Sequence, residues 1–293
     1  MLLHNRFAIT ISLVGFAASA NAQLPRGVGA PEVTMYSRLL AMTDTRQLDT
    51  ALIDRALAST WRPMRAAAAL AIGQVGAEPG MAGASRLRAL LKDPDATVAA
   101  NAAYALGLLR DTAAIAPLGA ALALNPGVAR EAAWALGEIG APARATIIAA
   151  LKSDRDPDPA IQLLLAASKL RPVPLADISR YLQNSNRAVV WAASYAIART
   201  RAPGGVRALI DLEASPALSA RPQTPERSAQ TTPAYTDAAT ANQRTRAEIA
   251  RGLAKSAAGD SLGPKAFSVL ARLVADLDPH VRINAVRSLG TYG

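Results

Sequence analysis

Val98-Ala99-Ala100-Asn101-Ala102-Ala103-Tyr104-Ala105-Leu106-Gly107 returns as Val128-Ala129-Arg130-Glu131-Ala132-Ala133-Trp134-Ala135-Leu136-Gly137. The same register fits 64–73, 189–198 and 281–290, and more loosely 159–168 and 244–254. Its closing small residues fall at Gly73, Gly107, Gly137, Ser168, Ala198, Ala254 and Gly290, in steps of 34, 30, 31, 30, 56 and 36. A period in this range is the signature of a stacked repeat array. The functional question then becomes which surface works, because a solenoid binds along its extended concave face.

Each unit reads as two helices. Ahead of Val98, Asp93-Pro94-Asp95 is a turn in which a carboxylate caps a helix start and proline fixes the backbone. Val98, Ala102, Ala105 and Leu106 then share one face at helical spacing, with Tyr104 to one side. Gly107 sits where a missing Cβ permits close helix packing or a left-handed stop. A second helix over 113–124 carries Ile115, Leu118 and Leu122 on one stripe, and further second helices are predicted at 85–92, 142–152, 174–182, 204–212 and 264–277. Pro117, Pro142, Pro174, Pro203 and Pro264 lie near their starts, where a missing N–H costs little. One more pair, 33–42 and 47–58, serves as the N-terminal cap of the array.

Composition agrees. Of 293 residues 51% are hydrophobic but only 4% aromatic, so alanine does much of the apolar work. Alanine loses no side-chain entropy in a helix and lets helices approach closely. No β-branched run alternates with polar residues over strand length. The expected fold is an all-α solenoid of about six to seven helical hairpins.

The pattern Asp-Pro-x-x-x-Val-x-x-x-Ala-Ala-x-Ala-Leu-Gly resembles the HEAT repeat, in the short bacterial variety of the phycobilisome-lyase type. The last unit, Asp278-Pro279-His280-Val281-Arg282-Ile283-Asn284-Ala285-Val286-Arg287-Ser288-Leu289-Gly290, is similar to it throughout. The resemblance covers 32–212 and 243–293. It implies a ladder between a turn aspartate and the arginine after the valine. The aspartate is present at Asp93, Asp156 and Asp278, and the arginine at Arg65 and Arg282. Ala99, Ala129 and Val190 replace the arginine elsewhere, so the ladder is incomplete. Ile161-Gln162-Leu163-Leu164-Leu165 is bulkier than its counterparts.

Outside the repeats, residues 1–22 read as a secretion signal. A short basic start with His4 and Arg6 precedes an apolar run from 7 to 18, and Ala20-Asn21-Ala22 is a small-x-small cleavage pattern leaving Gln23 first. The run is shorter than the roughly 18–20 apolar residues of a spanning helix. No later stretch could span a membrane once the signal is removed. Without cysteine there is no lipid attachment at an N-terminal cysteine and no disulfide, which suits a bacterial periplasm. Residues 23–31 form a flexible lead, 32–213 carry repeats, and 243–293 carry further repeats with the last one incomplete. Between them, 214–242 hold Pro216, Pro222, Pro225 and Pro233 among Ser, Thr, Ala and Gln, and are expected to be a disordered insertion with Tyr235 as an anchor for a partner. Because Gly293 closes a first helix with no second helix after it, the natural chain is expected to continue. Exported arrays of this kind resemble a HEAT solenoid joined to a C-terminal cyclophilin-type peptidyl-prolyl isomerase, whose catalytic part would lie beyond 293.

Chemistry within the chain is sparse. Of two histidines, His4 leaves with the signal, so a Ser-His-Asp site would have to be built around His280, which reads as a solvated or capping residue, and without cysteine the usual zinc set is ruled out. Asp154-Arg155-Asp156-Pro157-Asp158 begins like a calcium loop but has Pro159 and Leu165 where glycine and glutamate are required. Gly27-Val28-Gly29 lacks a preceding strand and a third glycine. No catalysis and no cofactor or metal site is expected in this chain. Export argues against both bilin-lyase activity and a nucleic-acid partner.

What remains is surface. The net charge is +10. The resemblance implies that second helices line the inner face, and Arg86, Arg88, Lys92, Arg144, Lys152, Arg180, Arg207, Lys265 and Arg272 all lie on them. Such a stripe would receive a protein or acidic peptide segment on the concave face. Trp61, Trp134 and Trp191 belong to first helices and read as packing residues. The expectation is an exported scaffold for protein–protein interaction, or else the scaffold half of the isomerase.

Overall fold

Three residues ahead of the recurring valine position, an Asp or Asn starts the helix. Asp95 accepts from the N–H groups of Thr97 and Val98, and Asn125 from that of Val128. Asn186 accepts from Ala188 and Val189, and Asp278 from His280 and Val281. Each such cap stabilises its helix by about 1 kcal/mol. Two residues earlier, the carboxylates of Asp93 and Asp276 accept the N–H of Asp95 and Asp278 and tighten the turn.

In the computed structural model, residues 29–153, 155–201, 203–219 and 238–293 are described. Their helices are Ala30–Thr45 (α1), Thr50–Leu57 (α2), Arg62–Gln74 (α3), Ala77–Met81 (α4), Ala84–Leu90 (α5), Ala96–Leu109 (α6), Ile115–Ala121 (α7), Pro126–Ile139 (α8) and Arg144–Leu151 (α9). They continue as Pro157–Lys169 (α10), Leu175–Ser179 (α11), Arg187–Ala198 (α12), Pro203–Glu213 (α13), Pro216–Ser219 (α14), Ala238–Gly252 (α15), Lys255–Leu273 (α16) and Pro279–Leu289 (α17). No strand occurs among the described residues. The fold is an all-α solenoid.

The phrase-bearing helices α3, α6, α8, α10, α12, α15 and α17 stack in that order, each on the next. Their closing small residues are where they meet. A Cβ on Gly107 would lie 2.6 Å from the Trp134 ring and 2.8 Å from Ala135 Cα, and one on Gly73 would lie 2.8 Å from Ala105 Cα. Gly137 faces Ala166 in the same way. Between α12 and α15 the roles are exchanged, with Gly252 against Ala198. This aligns Thr245 with Val98 and places Arg246 where Arg65 stands. The core runs unbroken through the array, with Leu106, Leu118, Leu136, Ile147, Leu163 and Leu164 inaccessible to solvent.

The second helices differ from their expected bounds. Pro142 lies in a 3-10 turn, Ala141–Ala143, and Asp111 caps another, Thr112–Ala114, so α9 and α7 begin two residues later than expected. α16 begins at Lys255 rather than 264 and carries Pro264 inside it. Its start is fixed by the Lys255 N–H, which donates to Thr291 Oγ1 at 2.9 Å. Within the 214–242 segment, α14 and the first residues of α15 are helical, and 220–237 lie outside the described residues. α1 begins at Ala30, inside the expected lead, with Glu32 accepting the Gly29 N–H at 2.8 Å. The signal, residues 1–22, lies outside the described residues.

Candidate functional site: the first-helix groove

Closely packed helices form the inner row of a curved stack, and here the inner row is the first helices. Across α8, α10, α12 and α15 they enclose an open groove of about 1600 Å³. Pockets that bury a small molecule hold roughly 300–1000 Å³, so this groove suits a length of polymer instead. Its floor is half-buried and apolar: Trp134, Ile161, Leu165, Trp191 and Tyr195. Tyr104 stacks on Trp134 with ring centroids 4.6 Å apart, so Trp134 both packs and faces the groove. Trp191 and Tyr195 meet at 5.9 Å.

The edge of the groove is basic. Lys169 ends α10 and Arg171 follows it, Arg199 and Arg201 lie past the end of α12, and Arg251 is in the last turn of α15. With Arg130 these make six lining cations against two lining carboxylates, Glu131 and Asp158. Cations at helix C-termini also complement the helix dipole. Lys169 is paired with Glu138 at 2.6 Å. Arg171 donates to the Ser168 and Leu170 carbonyls. Arg199 lies 3.9 Å above the Tyr195 ring and donates to its hydroxyl. Beneath Arg251, at 3.6 Å, lies Glu248, whose carboxyl burial pushes above the usual range while Arg251 and Arg199 pull it back.

None of the nine cations expected on second helices lines this groove. They do lie on or beside second helices, and α2, α5, α7 and α9 pack chiefly against the first helix of the following repeat. Several are engaged in holding repeats together. Arg86 pairs with Asp54, Arg88 with buried Asp111, and Arg272 with Glu213 at 2.7 Å. Arg144 donates to the Pro172 carbonyl at 2.7 Å and Arg180 to the Lys152 carbonyl at 2.9 Å. Lys92, Lys152, Arg207 and Lys265 are exposed. Lys265 and Arg272 flank a shallow cleft between α13 and α16.

The groove residues did leave a sequence signal. Six residues after the valine position stand Leu70, Tyr104, Trp134, Leu165 and Tyr195, a bulky residue in each alanine-rich helix. That place lies off the buried face, and its occupants line up along the inner row.

These stacked hairpins with a groove on their inner row define an α-helical repeat scaffold. Residues 98–123 and 128–153 match the PBS lyase HEAT-like repeat, and the chain carries repeats of that kind. No curated protein matches the sequence. Among solved structures the chain is similar to a designed armadillo repeat protein in complex with a (KR)4 peptide, at 18% identity over 84% of this chain and 100% of that one, with a TM-score of 0.42. A second designed armadillo repeat protein is similar at 19% identity over 82% and 98%, TM-score 0.39. Human deoxyhypusine hydroxylase in complex with glycerol is similar at 15% identity over 89% and 98%, TM-score 0.31.

Proposed function

We propose that this chain is an exported scaffold that binds another protein through the first-helix groove and performs no chemistry itself. The observation that carries the reading is the groove, an apolar floor with a cationic edge shared by four successive first helices. The array explains how it is held, since the floor residues sit on α8, α10 and α12, each packed on both neighbouring first helices. Export rests on the leader at 1–22 and on the absence of cysteine. The experiment is in-cell photocrosslinking from a benzophenone side chain. Placed at Leu165 it is expected to give discrete protein adducts, and placed at Lys152 on the outer row it is expected to give none. Equal labelling from the two sites, or none from Leu165, overturns the reading. Cleavage of the leader predicts Gln23 as the first residue of the exported protein, which N-terminal sequencing checks.

A second reading makes the array the scaffold half of a cyclophilin-type isomerase. It draws on the resemblance of these repeats to exported HEAT arrays, and Ile283 and Val286 on α17 are about half exposed. Sequencing the reading frame past codon 293 tests it.

A further inference from the structure

The groove offers two chemistries in fixed places, and together they describe its occupant. Down the middle run half-buried apolar side chains, Trp134, Leu165, Trp191 and Tyr195. Along one edge, at the C-terminal ends of three consecutive first helices, run five cations; Lys169 and Arg251 form ion pairs with Glu138 and Glu248, and Arg199 also acts on Glu248. Arg201 is exposed, two residues beyond Lys169's counterpart Arg199, and has no hydrogen bond or ion pair among the described residues.

A basic groove with aromatic residues also describes a single-stranded nucleic-acid site, in which bases stack on open ring faces. The rings here are not open. Tyr104 covers Trp134, Arg199 covers Tyr195 at 3.9 Å, and Arg244 lies 5.9 Å from the centroid of Trp191. Covered rings offer edges and partial faces that suit aliphatic and aromatic side chains rather than stacked bases.

We infer that the occupant is an extended acidic peptide segment whose apolar side chains rest on the Trp134–Leu165–Trp191 floor and whose carboxylates meet the edge formed by Arg171, Arg199 and Arg201. In an extended chain successive side chains point to opposite sides, so a segment alternating acidic and apolar residues commits its apolar set to one surface. The assignment rests on the scaffold reading above and names the partner's chemistry.

Fluorescence anisotropy of the purified chain with labelled peptides tests it. The probes are Glu-Leu-Glu-Phe repeats, the same peptide with Lys for Glu, the same with Ser for Leu and Phe, and oligo(dT). The acidic-apolar peptide is expected to bind at least about tenfold more tightly than the other three, and more weakly as salt screens the edge. The double variant Arg199→Ala, Arg201→Ala is expected to weaken it about tenfold, and Trp191→Ala to weaken it without changing the salt dependence, with helical content unchanged by circular dichroism. Preference for oligo(dT), for the lysine peptide, or no discrimination between Leu/Phe and Ser overturns the assignment. Protein adducts from Leu165 alongside any of those results leave the scaffold reading standing and remove only the acidic-apolar occupant.

Discussion

Arg65 holds Asp93 of the following repeat through two hydrogen bonds of 2.9 Å, Nε to Oδ2 and Nη2 to Oδ1. The pair is largely shielded from solvent, with 15% and 7% of the two side chains exposed. Near the other end of the array Arg246 holds Asp276 in the same register, Nε to Oδ2 at 2.8 Å, with both side chains buried. The rungs of the ladder are therefore the arginine after the valine position and the aspartate five residues before the next valine. Where Ala99, Ala129 and Val190 replace the arginine, glycine-on-alanine contacts like that of Gly73 on Ala105 remain without a rung.

Asp93→Ala is expected to destabilise the chain by about 2 kcal/mol, because it strips a shielded guanidinium of its charged partner. Asp54→Ala, which removes the partner of Arg86 at an exposed site, is expected to leave the melting temperature unchanged. Thermal melts followed by circular dichroism separate the two.

Hydrogen bonding to Arg65 holds the Asp93 carboxyl below its usual range. The unfolded chain then binds the proton first as pH falls, so the pair contributes fully above the ordinary aspartate pKa. Its contribution is lost as pH falls through the lower, folded value. The stability difference between wild type and Asp93→Ala is expected to be constant from neutral pH down to about 4 and to shrink below that. A difference that shrinks between pH 7 and 5 contradicts the assignment.

Gly107→Ala is expected to cost about 1–3 kcal/mol, since its Cβ would meet Ala135 Cα at 2.8 Å and only a shift of α6 against α8 relieves it. Gly127→Ala, at an exposed place in the first turn of α8 where the nearest atom beyond its chain neighbours is Asn125 Oδ1 at 3.4 Å, is expected to be neutral or stabilising by about 0.5–1 kcal/mol. Chemical denaturation of the two variants gives the comparison.

Glu248 has the opposite sign to Asp93. Its folded carboxyl titrates above its ordinary value because burial disfavours the charge. The native state therefore holds the proton longer than the unfolded chain, and stability falls as pH rises from the ordinary glutamate range through the raised one. Alanine occupies the equivalent place at Ala67 and Ala192, so Glu248→Ala fits the helix. The variant is expected to gain on wild type as pH is raised from about 4 to 7, measured by paired melts across that range. A parallel pair of curves contradicts it.

The repeat and the helical class were legible because they rest on local rules. A capping Asp or Asn, an alanine-rich face and a closing glycine each act within one turn of helix, and each recurs. The row that faces inward was not legible from those rules. It depends on how closely neighbouring repeats approach, which Gly107 and Ala135 decide jointly across some 28 residues of sequence. The nine second-helix cations therefore lie off the groove that the first helices line. The second rung was hidden for a related reason: Thr245 stands in the valine place, and only the packing of Gly252 on Ala198 fixes that register. Pro264 misled as a start signal because the α15–α16 turn is closed by Thr291, a residue from the next repeat.

Curvature also decides what charge reversal on the outer row does. Arg144, Lys152, Arg180 and Arg207 together were the natural sequence-based choice for abolishing partner binding. In the structure Arg144 and Arg180 each donate to a carbonyl of a neighbouring repeat, while Lys152 and Arg207 are exposed and do not line the groove. Reversing all four to glutamate removes two inter-repeat hydrogen bonds, each worth about 1–2 kcal/mol with a charged donor. It leaves the Trp134–Leu165–Trp191 floor and the Arg171, Arg199, Arg201 edge in place. The expected result is a lower melting temperature with the affinity for an acidic-apolar peptide changed by less than about threefold at physiological salt, where the Debye length is about 8 Å. The reverse pattern, unchanged melting with binding lost, would put the working face on the second helices and return the partner to the outer row.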